Sequence, residues 1–180
     1  MFDDFQIWYT HKMDESHTKL VSYDPAWRGK YQEESSKLTN LFGNLLIDIQ
    51  HIGSTSIIGL ASKPIIDIVI LLPSHQDAEK YIGLLEEKGY EYDANNSSGE
   101  RHFFRKGNPT QFHLSVAYQD QGGFWKRQLL FRDYLLDHPE ARKEYQRIKE
   151  IGMLQDPTGG TKYIESKTNF VQDILKQAGS

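Results

Sequence analysis

The run Ile65–Leu72, IIDIVILL, constrains the fold more tightly than any other part of the chain. Seven of its eight residues are apolar and five are β-branched. Branched side chains suit a pleated surface, and an almost unbroken apolar run of this length is the pattern of a strand covered on both faces. The one interruption, Asp67, cannot stay ionised in apolar surroundings without a partner, so a cation, a donor or a metal is expected against it. The run is also far too short to span a bilayer.

The segments around this strand predict an α+β arrangement. Asp24 before Pro25 is a helix-start signature, and Trp27, Tyr31, Leu38, Leu41, Phe42 and Leu45 keep helical spacing from there to Leu46. Leu46–Ile52 alternates as a strand, Gly53-Ser54-Thr55-Ser56 is a turn, and Ile57–Ser62 reads as a short helix or a helical turn stopped by Lys63-Pro64. Beyond the central strand, Asp77–Lys88 carries a helical stripe closed by Gly89. Tyr90–Tyr92 is a short strand, and Arg101–Arg105 with Gln111–Tyr118 form a hairpin across Gly107-Asn108-Pro109. Three helices follow, over Phe124–Leu136, Pro139–Leu154 and Lys162–Gln177. The expected whole is a single domain over residues 1–180, with residues 1–19 as a peripheral arm. A mixed sheet carries packed helices, and residues 122–180 form a helical C-terminal segment.

Composition narrows the function classes. A chain of 180 residues suits one domain with a real core. A formal charge of −4 argues against stable nucleic-acid binding, which needs a basic surface. The absence of cysteine excludes disulfides, zinc thiolates and cysteine nucleophiles. The N-terminal residues lack a basic region followed by an apolar core, so no secretory signal and no membrane association are expected, and a cytoplasmic location is the default.

The chemistry is expected between Gly53 and Asp67. A glycine in a strand-to-helix turn lets backbone N–H groups approach phosphate oxygens without a Cβ in the way. Ser54, Thr55 and Ser56 add hydroxyls at the same spot, and a carboxylate on the neighbouring strand can hold a divalent ion, Mg²⁺ or Mn²⁺, by its oxygens. Together these point to a nucleotide or another phosphate-containing small molecule as ligand. Arg101 and Arg105 share one strand face and suit phosphate through their planar forks. Lys63, beside the central strand, and His51, before the glycine turn, join this set, as does Lys167 near the C-terminus. Lys149 and Lys162 read as solvated helix faces, and Arg132 with Asp133 as fasteners of the helical segment, unable to pair with each other as helix neighbours.

His51-Ile52-Gly53-Ser54-Thr55-Ser56, Gly59-Leu60 and Lys63-Pro64-Ile65-Ile66-Asp67-Ile68 closely resemble the signature of the GrpB (UPF0157) family. Tyr23-Asp24-Pro25-Ala26-Trp27, Phe131-Arg132-Asp133-Tyr134-Leu135 with His138-Pro139-Glu140, and the series Tyr145, Lys149, Tyr163, Lys167 resemble its further motifs, so the resemblance covers roughly residues 20 to 177. The family resembles the nucleotidyltransferase superfold. That resemblance implies a nucleotidyltransferase-like mixed sheet and a nucleotidyl transfer to a small acceptor, with Asp67 and His113 as catalytic and Asp67, His113 and Ser115 as metal-binding residues. Members of the wider superfold place a second acid two residues after the first, where this chain has Val69, and the family tends to His-x-His where this chain has His113 and Ser115. Two other functions stay open. One is a nucleotide- or phosphometabolite-binding protein that has lost its chemistry. The other is a metal-dependent hydrolase centred on His113 with Asp67 or His51.

Overall fold

A computed structural model describes residues 19–179. The arm expected over residues 1–19 lies outside the described residues except for Lys19. Helix α1 (Ala26–Phe42) starts where Asp24 accepts from the Ala26 N–H at 2.9 Å and ends at Gly43, whose φ of 52° only glycine adopts readily. Strands β1 (Asp48–Ile52) and β2 (Ile66–Leu72) follow, separated by a 3₁₀ turn at Ser54–Ser56. Of the short helix or helical turn expected over Ile57–Ser62, only a turn forms, with the Leu60 N–H donating to the Ile57 carbonyl at 3.1 Å. That stretch is spent on a turn and on an isolated bridge between Ser62 and Val21, while the helical turn lies earlier, directly after Gly53.

The single helix expected over Asp77–Lys88 is two short ones, α2 (His75–Glu79) and α3 (Ile82–Glu87). The start moves upstream because the Ser74 hydroxyl accepts from the Asp77 N–H, an N-cap the apolar stripe does not reveal. Strands β3 (Tyr90–Tyr92), β4 (Arg101–Lys106) and β5 (Phe112–Tyr118) complete the sheet, and α4 (Phe124–Asp137), α5 (Pro139–Gln155) and α6 (Thr161–Gln177) the C-terminal helices.

The five strands lie in the order β1-β2-β5-β4-β3. All neighbours are antiparallel except β2 and β5, which run parallel. The architecture is thus α+β, a five-stranded mixed sheet with helices on both faces. The register puts Asp67 beside His113 and Val69 beside Ser115, and on β5's other side Phe103 lies opposite Ser115. These residues share one face. The alternate residues, Ile66, Ile68, Ile70 and Leu72 with Leu114, Val116 and Phe104, point to the other, where they pack on Trp27, Leu38 and Phe42 of α1 and on Ala78 and Leu85. Val69 and Ala117 instead meet Phe124 of α4. The apolar run is therefore buried on both sides, as a central strand requires. Among the described residues no helix is long and apolar enough to cross a membrane.

Arg132 ties α4 to the sheet, donating from Nη1 to Gln50 Oε1 and to the His51 carbonyl at 2.9 and 3.0 Å. Contrary to expectation it also pairs with its neighbour Asp133, Nε to Oδ1 at 2.7 Å.

On the far face Glu34 of α1, 2% exposed, accepts from Tyr90 at 2.9 Å, Lys106 at 2.5 Å and Lys37 at 3.1 Å. Burial alone would raise its carboxyl pKa, but the donors, Lys106 first, outweigh it and hold the group below the usual range. Glu34→Ala strands Lys106 and Tyr90, and is expected to cost about 3 kcal/mol at neutral pH. A depressed carboxyl contributes stability above its unfolded pKa and loses it as pH falls, so the penalty should shrink between pH 5 and pH 3. Urea denaturation of both proteins across that range checks it.

Candidate functional site

Residues from β1, β2, β4, β5 and all three C-terminal helices line one cavity of about 160 Å³. Its floor is the pair made by parallel strands: His113 Nδ1 lies 3.0 Å from Asp67 Oδ1. The side chain of Asp67 is 27% exposed, more open than its apolar run suggests, because its position near the start of β2 lies at the cavity. His113 is 6% exposed, packs its ring against Phe103, and leaves Nε2 buried without a hydrogen-bond partner among the described residues.

Gly53 secures this floor by what it lacks. Its φ of 68° and ψ of −174° fall in a region open essentially to glycine, and a Cβ there would meet Asp67 Oδ2 at 2.3 Å. The glycine turn therefore packs directly on the carboxylate. Of the turn's hydroxyls, only Ser54 lines the cavity. Thr55 is buried, its hydroxyl 3.0 Å from His51 Nε2, and Ser56 bonds back to the Gly53 carbonyl at 2.6 Å. His51 belongs to the opposite face: its ring stacks on Tyr31 with centroids 4.7 Å apart, and burial lowers its pKa to about 4, so it is neutral. Thr55, Ser56 and His51 brace the turn, and the cavity does not include them.

The basic residues divide likewise. Arg101, 2% exposed, donates to Ser115 Oγ at 2.8 Å and to the Asn96 carbonyl at 3.0 Å, and lies 4.5 Å from the Phe103 ring centre. Ser115, expected among metal-binding residues, lines the cavity and accepts this bond from Arg101. Arg105 pairs with Asp93 at 3.0 Å and does not line the cavity. Lys63 and Lys167 both line it, with amines 4.7 and 4.0 Å from the Tyr163 ring centre.

Lys149, read from sequence as a solvated helix residue, is 1% exposed. Its amine donates to the Ala61 carbonyl and to Ser54 Oγ and lies 5.0 Å from the Tyr145 ring centre. Gln146, also of α5, accepts from the Ala61 N–H at 2.9 Å, so α5 grips both backbone polar groups of one loop residue. The available signal was a repeated spacing: Tyr145-x₃-Lys149 on α5 and Tyr163-x₃-Lys167 on α6, one helical turn apart in each case. α5 and α6 approach closely at Gly152, where a Cβ would meet Ser166 Oγ at 2.4 Å. Arg127, held by Glu100, is a further lining residue the sequence did not single out.

Burial lowers all three lysines, Lys149 and Lys167 to about 7 and Lys63 to about 8. Lys167 is depressed further by the charges of Lys63 and Lys149, and Asp67 pulls the other way. Tyr145 is pushed up to about 12 by burial. The site thus joins a carboxylate–imidazole pair to three amines poised to gain or lose charge near neutrality.

The GrpB protein family model matches residues 17–177. UPF0157 protein YqkA of Bacillus subtilis is 33% identical over 93% of this chain, which spans 49% of that protein's length. Glutamate-rich protein GrpB of Alkalihalophilus pseudofirmus is 33% identical, with 88% of this chain and 94% of that one covered. A more distant likeness, 26% identical over 94% of this chain, is to 48% of a protein named dephospho-CoA kinase in Mycolicibacterium paratuberculosis. Among solved structures, conserved protein GrpB from Enterococcus faecalis superposes with a TM-score of 0.82 at 30% identity, covering 89% of this chain and 96% of that one.

Gly53→Ala should cost about 1–3 kcal/mol in backbone strain and displace Asp67 from His113. Gly59→Ala, at φ 80° with nothing within 4 Å of the new Cβ, supplies the backbone cost alone. Chemical denaturation gives the first quantity for both variants. The His113 imidazole resonances in NMR report the second, and should move only in Gly53→Ala. With a matching family model over nearly its whole length and a solved relative of the same fold, this chain belongs to the GrpB family.

Proposed function

We propose that the cavity binds the phosphate group of a nucleotide or related small phosphorylated metabolite, on a scaffold of the nucleotidyltransferase type, and that Asp67 and His113 act on what is bound. The supporting observation is the gathering of Lys63, Lys167 and, behind Ser54, Lys149 around one cavity. Burying amines costs free energy unless a counter-charge repays it; Asp156 and Glu150 offset part of that cost at Lys63 and Lys149, and Asp67 is the one carboxylate lining the cavity itself. A phosphate dianion supplies the balance, and Phe103, Phe131 and Tyr163 offer apolar walls to the rest of the ligand.

With Nδ1 turned to Asp67, the His113 imidazole holds the carboxylate in place at the cavity floor. A divalent cation would be held by Asp67 together with phosphate oxygens, a set that suits Mg²⁺ or Mn²⁺, and would neutralise charge on the transferred group. Val69 supplies no second carboxylate, so a clamp of two metals is not supported. Val69 also favours the second reading, a module that binds the phosphate compound without turning it over.

Calorimetry with ATP, AMP, inorganic phosphate, CoA and dephospho-CoA, with and without Mn²⁺, tests the proposal; the last two enter because of the distant relative's name. At least one phosphate compound should bind, and Lys167→Met and Lys149→Met should each weaken it about tenfold or more, the loss of one close charge-assisted contact. Asp67→Asn should keep binding and lose turnover. No binding by any compound, or equal binding by the lysine variants, would overturn the reading, and binding without product against a panel of acceptors would select the second one.

The depressed lysines also set a pH profile. Below about pH 7 all three amines are charged; between about 7 and 9 they lose their protons in the free protein, while a phosphate monoester, with its second pKa near 6, is already dianionic. Affinity should therefore fall as pH rises from 7 to 9, with proton uptake on binding visible as a buffer-dependent calorimetric enthalpy.

A further inference from the structure

The sheet face opposite the cavity carries a second cluster. His75 and Glu79 stand one turn apart on α2, and His102 projects from β4 beneath them. One ring nitrogen of each histidine and a carboxylate oxygen of Glu79 lie within 4.8 Å of one another. His75 Nδ1 and Glu79 Oε1 are already 3.6 Å apart, close to the separation of about 3.3–3.5 Å that two ligands of a tetrahedral Zn²⁺ keep at bond lengths near 2.0–2.1 Å.

We propose that His75, Glu79 and His102 form a binding site for one divalent transition ion of the zinc class. Imidazole nitrogens select such an ion over Mg²⁺ or Ca²⁺, which prefer oxygen. Two histidines and a carboxylate are a three-ligand set, and the side-chain exposure of His75 (34%) and Glu79 (58%) leaves a fourth position open to water or an added ligand.

Two features prepare the site. His102 is 3% exposed and fixed from behind by the Tyr118 hydroxyl at its Nδ1, the kind of partner that orients a metal-binding imidazole. The Ser74 cap and the Asp77–Lys80 pair hold α2 in register without engaging the three ligand side chains. The exposed Glu79 supplies the movement that closing to bond distance needs. Bound metal would join α2 to β4, two elements distant in sequence, on the face away from Asp67.

The full chain, stripped with chelator, should be titrated with Zn²⁺ alone by calorimetry and with Co²⁺ by visible absorption. One equivalent is expected at micromolar or tighter affinity, with the intense bands of tetrahedral Co²⁺, no competition from millimolar Mg²⁺, and a melting temperature raised by several degrees. His75→Ala and Glu79→Gln, both at partly exposed positions, should each weaken binding at least tenfold while folding as the parent does. His113→Ala, in the cavity, should leave it unchanged. Failure of the parent chain to bind either ion, or one equivalent persisting in the His75→Ala/Glu79→Gln double variant, would overturn the proposal.

Discussion

Parallel pairing of β2 with β5 is the contact on which the rest of this molecule turns. Some forty residues separate the two strands in sequence; after β2 the chain passes through two short helices to the sheet's far edge at β3 and returns through β4 to β5. Parallel register is what brings Asp67 level with His113. An antiparallel arrangement of the same strands would match a different set of positions, and a shift by one residue would turn His113 away from the carboxylate. The apolar character of Ile66, Ile68 and Ile70 and of Leu114 and Val116 locks that register, because any slip exposes one strand's apolar set.

The two faces of the sheet then divide the labour. The face toward α1 is mainly hydrocarbon, with the Glu34 network and the rings of His51 and His102 among it, and supplies the burial that holds the strands together. The other face is interrupted by polar groups along its middle, with Asp67, His113, Ser115 and Arg101 in neighbouring positions. Those groups lower the hydrophobic contribution of that face. The C-terminal helices compensate by packing around the cavity, with Leu135, Tyr145, Ile57 and Leu60 forming a separate apolar cluster at its side.

Electrostatics in the cavity follow from the same geometry. Lysines on a helix surface normally keep their amines in water; here α5 and α6 approach so closely at Gly152 that Lys149 and Lys167 are carried inward. Aromatic faces and carbonyl oxygens receive the amines, which softens the cost of burial without removing it. Their mutual repulsion lowers Lys167 further.

Much of this was legible in the sequence. The branched apolar run announced a covered strand, the polar–apolar periods announced most other elements, and Gly53 with Asp67 marked the floor of the site. Local chemistry sufficed there because period, caps and glycine turns act over a few residues. What local pattern could not decide was direction and depth. His51 and Arg105 sit among motif residues, yet strand alternation sends one to the far face and an acid at the sheet edge takes the other. Lys149 has the sequence surroundings of any solvated helix lysine, and only the crossing of α5 with the loop at Ala61 buries it. The sequence determined which residues could carry chemistry, and the tertiary packing decided which of them meet, because burial and charge proximity are set by contacts between segments far apart in the chain.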